Sequence, residues 1–334
     1  MEVGKLKNEA LNDLVISEIH MIRDDILIRP SIGEDCSAIS FGDMACVLTT
    51  DPITGSGSQI GRLAVHVCLN DIASSGAETA GLLLTLLCPV GTEESEIKDI
   101  LHEANETANL MGVEIVGGHT EITAAVNRTI VSATAIGKTS IQNLIKTSGA
   151  KAGDYLYLTK QAGTEGTAII ATDKASELAD VLNKHELLTA QEMISKISVV
   201  AEGRIGSRVG VHAMHDATEG GVLGAIYEMC EASGKGCKIH IDKIEVHPIT
   251  EKICEYYHIN PLKLISSGTM VMSIDKENAS ALERALLDAD IDYSRVGVVT
   301  DEMTKKLIMG DSSVEEIFDE IESPEADELY KVIK

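Results

Sequence analysis

Aromatic and basic residues are scarce in this chain. Of its 334 residues none is tryptophan and two are phenylalanine, so aliphatic side chains must form most of the core. Lys and Arg together number 28 against 53 acidic residues, and the net charge of −25 repels nucleic acids and anionic membranes. We therefore expect neither a nucleic acid nor a membrane as partner. An anionic substrate would need a bridging cation.

The chain also lacks Cys-x-x-Cys spacings and any apolar run long enough to span a bilayer. Its seven cysteines are odd in number, which favours reduced thiols in a cytoplasmic protein. Residues 1–20 carry charges throughout and place Leu6, Ala10 and Leu14 at helical spacing. This pattern predicts an amphipathic helix and is not typical of a signal peptide.

Strand-like and helix-like patterns alternate along both halves of the chain, and its length suits two domains. The composition turns to Ser, Gly, Ala and Lys over residues 146–154. We place the boundary there, between an N-terminal domain of residues 1–147 and a C-terminal domain of residues 148–334. Residues 54–61, rich in Gly and Ser, predict a mobile or phosphate-facing loop. From Ser312 onward, apolar residues at helical spacing predict a surface helix in the acidic tail.

Four acidic residues of the N-terminal half follow strands, lie in turns or interrupt apolar segments: Asp35, Asp51, Asp71 and Glu121. The hydroxyls of Thr49 and Thr50 directly precede one of them. Such oxygen ligands are those that Mg²⁺ prefers, and Mg²⁺ commonly completes its shell with nucleotide phosphates. The combination suggests ATP chemistry. The alternative is that a chain with 53 acidic residues places them in turns without any function.

The central segment is residues 113–121, VEIVGGHTE. Its β-branched start predicts a buried strand, and its two glycines predict a turn that presents a polar tip, formed by His119, Thr120 and Glu121. A similar polar tip, residues 215–221, follows the strand predicted at Val211–Met214. His212 and His215 could ligate a metal, but residues three apart on a strand face opposite sides, which argues against zinc.

Together these segments resemble the ATP-binding superfamily that contains aminoimidazole ribonucleotide synthetase, selenophosphate synthetase, thiamine-monophosphate kinase and the hydrogenase expression/formation protein E. The resemblance covers most of the chain. It is most specific at Gly33-Glu34-Asp35, Thr49-Thr50-Asp51, residues 60–77, Gly117-Gly118-His119-Thr120 and residues 216–221. The branch of the hydrogenase expression/formation protein is the most similar one.

The resemblance implies an α/β (α+β) chain of two domains, in which the N-terminal sheets of a homodimer form a barrel beside C-terminal α/β domains. It also implies ATP and Mg²⁺ in a cleft near the dimer interface, and a maturation partner protein. The metal ligands expected from it are Asp35, Asp51, Asp71, Glu121 and Asp216, with catalytic roles for Asp71 and Asp216. The nucleotide-binding residues expected from it are Thr49, Thr50, Asn70, Gly117, Gly118, His119, Thr120 and Thr218.

The sequence departs from the pattern of that family in three ways. Position 119 is His where the hydrogenase-maturation and thiamine-phosphate branches have an acid, so either Glu121 supplies the carboxylate or one metal site is altered. Glu34 replaces the first Asp of an acidic pair. The maturation enzyme carries its substrate thiol on a C-terminal cysteine, whereas the last cysteine of this sequence is Cys254. Dehydration on the chain's own thiol is therefore not expected.

The leading hypothesis is an ATP-dependent, Mg²⁺-requiring enzyme that phosphorylates or dehydrates a small or protein-borne acceptor. One alternative is a nucleotide-binding accessory protein without turnover, motivated by the missing terminal cysteine. The other is a small-metabolite kinase of the thiamine-monophosphate kinase type.

Overall fold

The computed structural model describes residues 4–54, 59–310, 316–324 and 326–333. Residues 55–58 of the predicted loop lie outside this description, and so do residues 311–315 of the acidic tail. The described part of the chain contains two β-sheets, each covered by helices. None of its helices is both long and apolar enough to cross a bilayer.

Strands of the described N-terminal half form a six-stranded sheet in the order β1-β2-β3-β6-β4-β5. They are β1 (Ile26–Ile28), β2 (Ser37–Phe41), β3 (Met44–Ile53), β4 (Glu78–Pro89), β5 (Ile115–Thr123) and β6 (Ile130–Ser140). Neighbouring strands are antiparallel, except that β4 and β5 run parallel. Alternate residues of β6 are buried because helices cover one face of the sheet.

Three helices accompany this sheet: α1 (Asn8–Leu14), α2 (Ile60–Ser74) and α3 (Glu94–Leu110). The opening helix is shorter than the predicted residues 1–20, because the described segment turns into a 3₁₀ helix at Ile16–Glu18. The most deeply buried helix is α2, which packs against the sheet, against α3 and against the second half of the chain. Polar residues on α2 are therefore buried with it.

The second sheet has seven strands in the described residues, in the order β13-β12-β9-β11-β7-β10-β8. They are β7 (Tyr155–Thr159), β8 (Ala213–Asp216), β9 (Gly236–His240), β10 (Met270–Ile274), β11 (Tyr293–Thr300), β12 (Lys305–Met309) and β13 (Glu316–Glu320). The accompanying helices are α4 (Thr164–Asp173), α5 (Ala175–Leu178), α6 (Lys184–Glu192), α7 (Val200–Val209), α8 (Gly221–Ala232), α9 (Pro248–Tyr257) and α10 (Ala279–Asp288).

Both faces of this sheet are buried at strands β7 and β10. Leu156 and Leu158 of β7 belong to one apolar cluster, whereas Tyr157 between them belongs to another on the opposite face. Every residue of β10 is buried, which matches its sequence, apolar except for Ser273. The sheet is thus the central layer of an α/β unit.

In the described part of the acidic tail, the predicted helix is not formed. Residues Glu316–Glu320 form strand β13, which pairs antiparallel with β12. The edge of the sheet offers backbone partners that a surface helix would not use. Residues 317–320 are exposed, and Ile321, directly after the strand, is buried. A 3₁₀ helix at Glu328–Lys331 then returns to the protein and buries Leu329.

The two halves contact each other through α2 and α7. A Cβ at Gly203 of α7 would lie 2.4 Å from the carbonyl oxygen of Ala73, so glycine permits this close approach. Glu34 adds a second link, because its carboxylate accepts from the backbone N–H of Thr147 and of Ser148 at 3.2 and 3.1 Å. The boundary that we placed at 147/148 falls beside this contact and stays an assignment from sequence.

Candidate active site

An acidic cluster lies where α2 faces strand β3. Asp71 of α2 is 6% exposed, and the Thr49 hydroxyl donates to its Oδ2 at 2.5 Å. Because alternate strand residues share a face, Asp51 projects to the same side of β3 as Thr49. The hydrophobic surroundings of α2 thus hold a carboxylate that is paired with a hydroxyl and lies near a second carboxylate.

Asp35 joins this cluster from the turn between β1 and β2. Its Oδ2 accepts from the Ser74 hydroxyl at 2.9 Å, and its Oδ1 lies 2.7 Å from Nδ1 of His215. The other ring nitrogen of His215 lies 3.1 Å from Oε2 of Glu228 on α8. A continuous chain of polar contacts therefore connects the N-terminal acids to the second half of the molecule.

Asp216, at the end of β8, completes the cluster. It is 1% exposed, and neither of its carboxylate oxygens has a hydrogen-bond partner among the described residues. Ligand atoms of Asp35, His215 and Asp216 all lie within 4.8 Å of one another. An unpartnered buried carboxylate is costly unless a cation compensates it. The donor set, which consists mainly of carboxylate oxygens, fits a hard divalent cation such as Mg²⁺.

The pKa values of the buried acids also indicate that the cluster lacks compensating positive charge. Burial, followed by the charges of Asp216, Asp51 and Asp35, raises the pKa of Asp71 well above its usual range. Burial, followed by the charge of Asp35, likewise raises the pKa of Asp216. Like charges brought together in a desolvated place disfavour one another's ionised forms. A bound cation would relieve both effects.

His215 supplies positive charge to the cluster from the second half of the chain. Burial lowers the pKa of its imidazole, but contacts with Asp35 and Glu228 outweigh this and raise the pKa well above its ordinary value. Burial raises the pKa of Glu228, whereas His215 and Lys5 lower it more strongly, so the net shift is downward. Asp35 and Glu228 therefore favour the charged imidazolium form of His215.

The remaining residues expected in the site are distributed unevenly. The Thr50 hydroxyl contacts Thr134 Oγ1 at 2.9 Å and the Ala133 carbonyl at 3.1 Å, away from Asp71. Asn70 is fully buried and binds the second domain, since its Nδ2 donates to Ile197 O and its Oδ1 accepts from Val199 N.

Thr218 lies in the loop after Asp216, where its carbonyl accepts from Gly221 N at 3.0 Å. Asp35, Thr49 and Thr50 also line a cavity of about 430 Å³, whose lining includes Leu11 and Val15.

The central segment differs from its predicted form. Strand β5 continues through Gly117 and Gly118 to Thr123, so the two glycines do not form a turn. Gly118 has a φ of +149°, and a Cβ there would lie 1.8 Å from the carbonyl oxygen of Leu84. The glycine thus permits close strand pairing, a role that its sequence context does not distinguish from a turn.

His119, Thr120 and Glu121 therefore lie on an exposed edge strand. Nε2 of His119 is 3.4 Å from Oε2 of Glu121, and both side chains are more than half exposed. The register places β6 and β4 between Asp51 and Gly118, so about three strand spacings, roughly 14 Å, separate them. Within one chain, the structure does not bring this segment to the acidic cluster.

Sequence reasoning missed the roles of Ser74, His215 and Glu228. His215 was considered together with His212, but the two imidazoles contact different acids, since His212 Nδ1 lies 2.9 Å from Asp154 Oδ2. The available signal for His215 was its position directly before Asp216 at the strand end. No local pattern marks Glu228, because only the packing of α8 brings it to the imidazole.

Two family models match the chain. The AIR synthase related protein N-terminal domain matches residues 33–139, and the corresponding C-terminal domain matches residues 151–310. A putative hydrogenase expression/formation protein of Methanocaldococcus jannaschii is 29% identical, covering 83% of this chain and 82% of its own. A carbamoyl dehydratase HypE of Rhizobium leguminosarum is 26% identical, covering 83% and 79%.

Solved structures share the fold. A HypE–HypF complex has a TM-score of 0.71 at 24% identity, covering 86% of this chain and 93% of that one. The hydrogenase maturation protein HypE in complex with ATP has a TM-score of 0.66 at 18% identity, covering 97% and 96%. The structure of AaThiL complexed with AMPPCP and TMP has a TM-score of 0.72 at 17% identity, covering 96% and 99%.

Proposed function

The chain belongs to the AIR synthase related family, and on that basis we propose an ATP-dependent, Mg²⁺-requiring enzyme of the hydrogenase-maturation branch. The proposed reaction is phosphorylation or dehydration of a small or protein-borne acceptor. The observation that carries the proposal is Asp216, whose buried carboxylate has no hydrogen-bond partner among the described residues although it lies beside Asp35 and His215. The relatives support the choice of branch, since several are named carbamoyl dehydratase HypE.

Four carboxylates are proposed to hold the cation, those of Asp35, Asp51, Asp71 and Asp216. When bound, Mg²⁺ supplies charge that offsets the phosphates of ATP and the charge developing on a transferred group. Asp71 and Asp216 are the most deeply buried of the four, and we propose that both act directly at the reacting phosphate end.

The neighbouring residues orient these ligands. Thr49 donates to Asp71, and Ser74 donates to Asp35, so each hydroxyl fixes one carboxylate and leaves its other lone pairs available. His215 holds Asp35 from the second domain and is itself held by Glu228. We propose that this outer shell keeps the acids in place before the nucleotide arrives.

The nucleotide is proposed to enter the cavity lined by Thr49, Thr50 and Asp35, and Thr218 is proposed to face its phosphates. The family resemblance implies that Asn70 binds the nucleotide. Its contacts to the second domain favour an indirect role instead. We propose that it aligns α2, and hence Asp71, against the second half of the chain.

A homodimer would give the exposed strand β5 a role. Val116 and Ile122 on this edge strand are 57% and 50% exposed, and Leu83 of the adjacent strand is 37% exposed. Apolar residues along an open sheet edge favour pairing with a second sheet. We propose that a second copy covers this edge, as in the expected dimeric barrel. Gly117 to Glu121 would then face the nucleotide site from across the interface.

We propose that the acceptor thiol of a dehydration reaction comes from another protein. All seven cysteines are unpaired thiols, and only Cys46 is not fully buried. Cys254 is 2% exposed, and burial followed by the charge of Glu328 raises its pKa to about 12. The HypE–HypF complex shows a relative of this fold bound to another protein. We propose a comparable maturation partner here.

Calorimetric titration of ATP with and without Mg²⁺, followed by an ADP assay on the same sample, tests the proposal. We expect binding that requires Mg²⁺ and ADP formation that requires an acceptor. Asp216→Asn should abolish the Mg²⁺-dependent part of binding, whereas Asp99→Asn, an equal charge change on the exposed surface of α3, should leave it unchanged.

Absence of Mg²⁺-dependent ATP binding by the wild-type protein would overturn the proposal. Binding without ADP formation under every acceptor would favour a nucleotide-binding accessory protein. If the only acceptor that is phosphorylated is a small phosphorylated metabolite, a kinase would be favoured. The fold shared with AaThiL is compatible with that reading.

A further inference from the structure

We propose that Lys5 contacts the terminal phosphate of bound ATP, and that the N-terminal and C-terminal segments together hold it there. Lys5 lies outside the residues that the two family models match, which begin at residue 33. The inference deepens the proposed function, because it names a residue that would bind the transferred group.

The first argument is the position of the Lys5 amino group. Its Nζ lies 3.9 Å from Oε1 of Glu228, whose other oxygen contacts His215, which in turn contacts Asp35. The ammonium group is therefore at the end of the polar chain that leads into the acidic cluster. Its side chain is 52% exposed, so the protein does not enclose it on every side.

The second argument is the charge around this group. Burial lowers the pKa of the Lys5 amino group, but the carboxylates of Glu228, Asp35, Glu219 and Asp51 outweigh this and raise it. Lys5 therefore carries its charge at neutral pH. Two of these carboxylates are proposed metal ligands, which places the ammonium near both the acids and the phosphates that they would bind through the cation.

The third argument is that both neighbouring segments fix the backbone at Lys5. Its N–H donates to Oε2 of Glu219 at 3.1 Å, and the hydroxyl of Tyr330 donates to Oε1 of the same carboxylate at 2.8 Å. Gly4 has a φ of +113°, and a Cβ there would lie 2.9 Å from the Tyr330 ring. Glycine is therefore required for the N-terminal segment to pass over this ring.

The C-terminal segment is anchored in turn. The Asp327 carboxylate accepts from the backbone N–H of Gly220 at 2.7 Å and of Ile265 at 3.2 Å. Tyr330 is thereby held above the loop that follows Asp216. The C-terminal segment thus helps to hold Glu219, the carboxylate that accepts from the backbone of Lys5.

Other lysines near the junction of the two halves have different tasks. Lys146 donates to the carbonyl of Leu27 at 3.0 Å, and Lys160 pairs with Glu202 at 2.7 Å. By contrast, the contact of Lys5 with Glu228 is long, and Glu228 already has an imidazole partner. A phosphate oxygen would give the ammonium a shorter, charge-assisted hydrogen bond.

The role assigned to Lys5 is electrostatic. When the bond between the β,γ-bridging oxygen and the γ-phosphorus breaks, ADP leaves and a new bond forms from an acceptor oxygen to that phosphorus. The ammonium keeps its protons throughout and balances the charge on the non-bridging oxygens. No additional reactant is needed for this role.

The test compares equilibrium affinities of the full-length protein for Mg-ATP and Mg-ADP. Because hydrogen bonds between charged groups are strong, Lys5→Met should weaken Mg-ATP binding about tenfold or more and leave Mg-ADP binding nearly unchanged. Lys5→Arg should retain most of the ATP affinity. Lys7→Met, an equal charge change at an exposed neighbouring position, is the matched control and should bind both nucleotides like wild type.

Tyr330→Phe keeps the ring against Gly4 but loses the hydrogen bond to Glu219, so it should weaken Mg-ATP binding in the same direction and to a smaller extent. Equal effects of Lys5→Met on ATP and ADP, or no effect on either, would overturn the role of Lys5 while leaving the proposed function intact. Failure of the wild-type protein to bind Mg-ATP would overturn both. Thermal unfolding midpoints equal to that of Lys7→Met would show that the variants are folded.

Discussion

Replacement of Asn70 by alanine should destabilise the protein more than it weakens nucleotide binding. The Asn70 amide is fully buried, and it donates to Ile197 O at 2.7 Å and accepts from Val199 N at 2.9 Å. Alanine would leave a buried carbonyl and a buried N–H without partners. Each such group costs about 1–3 kcal/mol, so we expect a loss of about 2–6 kcal/mol in the free energy of unfolding.

Urea denaturation followed by circular dichroism measures this loss. Titration with Mg-ATP, without urea and at low temperature, measures the affinity of the folded protein. Asn109→Ala on the exposed surface of α3 is the control, because it removes the same amide without breaking a buried contact. We expect its stability to remain within about 0.5 kcal/mol of wild type.

The reasoning would be refuted if Asn70→Ala unfolded like wild type and bound Mg-ATP at least tenfold more weakly. That result would mean that the amide binds the nucleotide directly, as the sequence pattern first indicated, and that its contacts to residues 197 and 199 are incidental.

Three further predictions concern Glu165, Gly118 and Asp216. Burial first of all raises the pKa of Glu165 to about 7, from an unfolded value of 4.5, so wild type should lose up to about 3 kcal/mol of stability relative to Glu165→Gln as pH rises from about 4.5 through 7. Urea titrations at pH 5 and pH 8 measure this, and an equal difference at both would contradict it. Gly118→Ala should disrupt the pairing of β5 with β4, because its Cβ would meet the Leu84 carbonyl, and faster amide hydrogen exchange in β5 would detect this. Asp216→Asn should raise the melting temperature in EDTA and abolish stabilisation by Mg²⁺, and a variant still stabilised by Mg²⁺ would exclude Asp216 as a ligand.

Sequence patterns indicated the acids at strand ends and in the apolar helix, and the family resemblance linked them across more than 180 residues from Asp35 to Asp216. The structure places these two residues in one group of potential ligands. It places Glu121 on the edge strand β5, away from the acidic cluster. Local sequence spacing does not predict this, because it does not encode the order of strands in a sheet. The apolar spacing of the acidic tail likewise did not predict strand β13, because the strand depends on pairing with the open edge of β12, which lies outside the local sequence.

The contact between His215 and Asp35 joins residues from opposite halves of the chain, so the candidate site has one wall on each domain. Any hinge motion between the halves would change the separation of its ligands. Occupancy of the site and closure of the hinge must then be linked, and each should favour the other by the same free energy. A partner protein that pressed the halves together would thereby tighten cation binding without touching a ligand. An effector that separated them would release the cation in the same way.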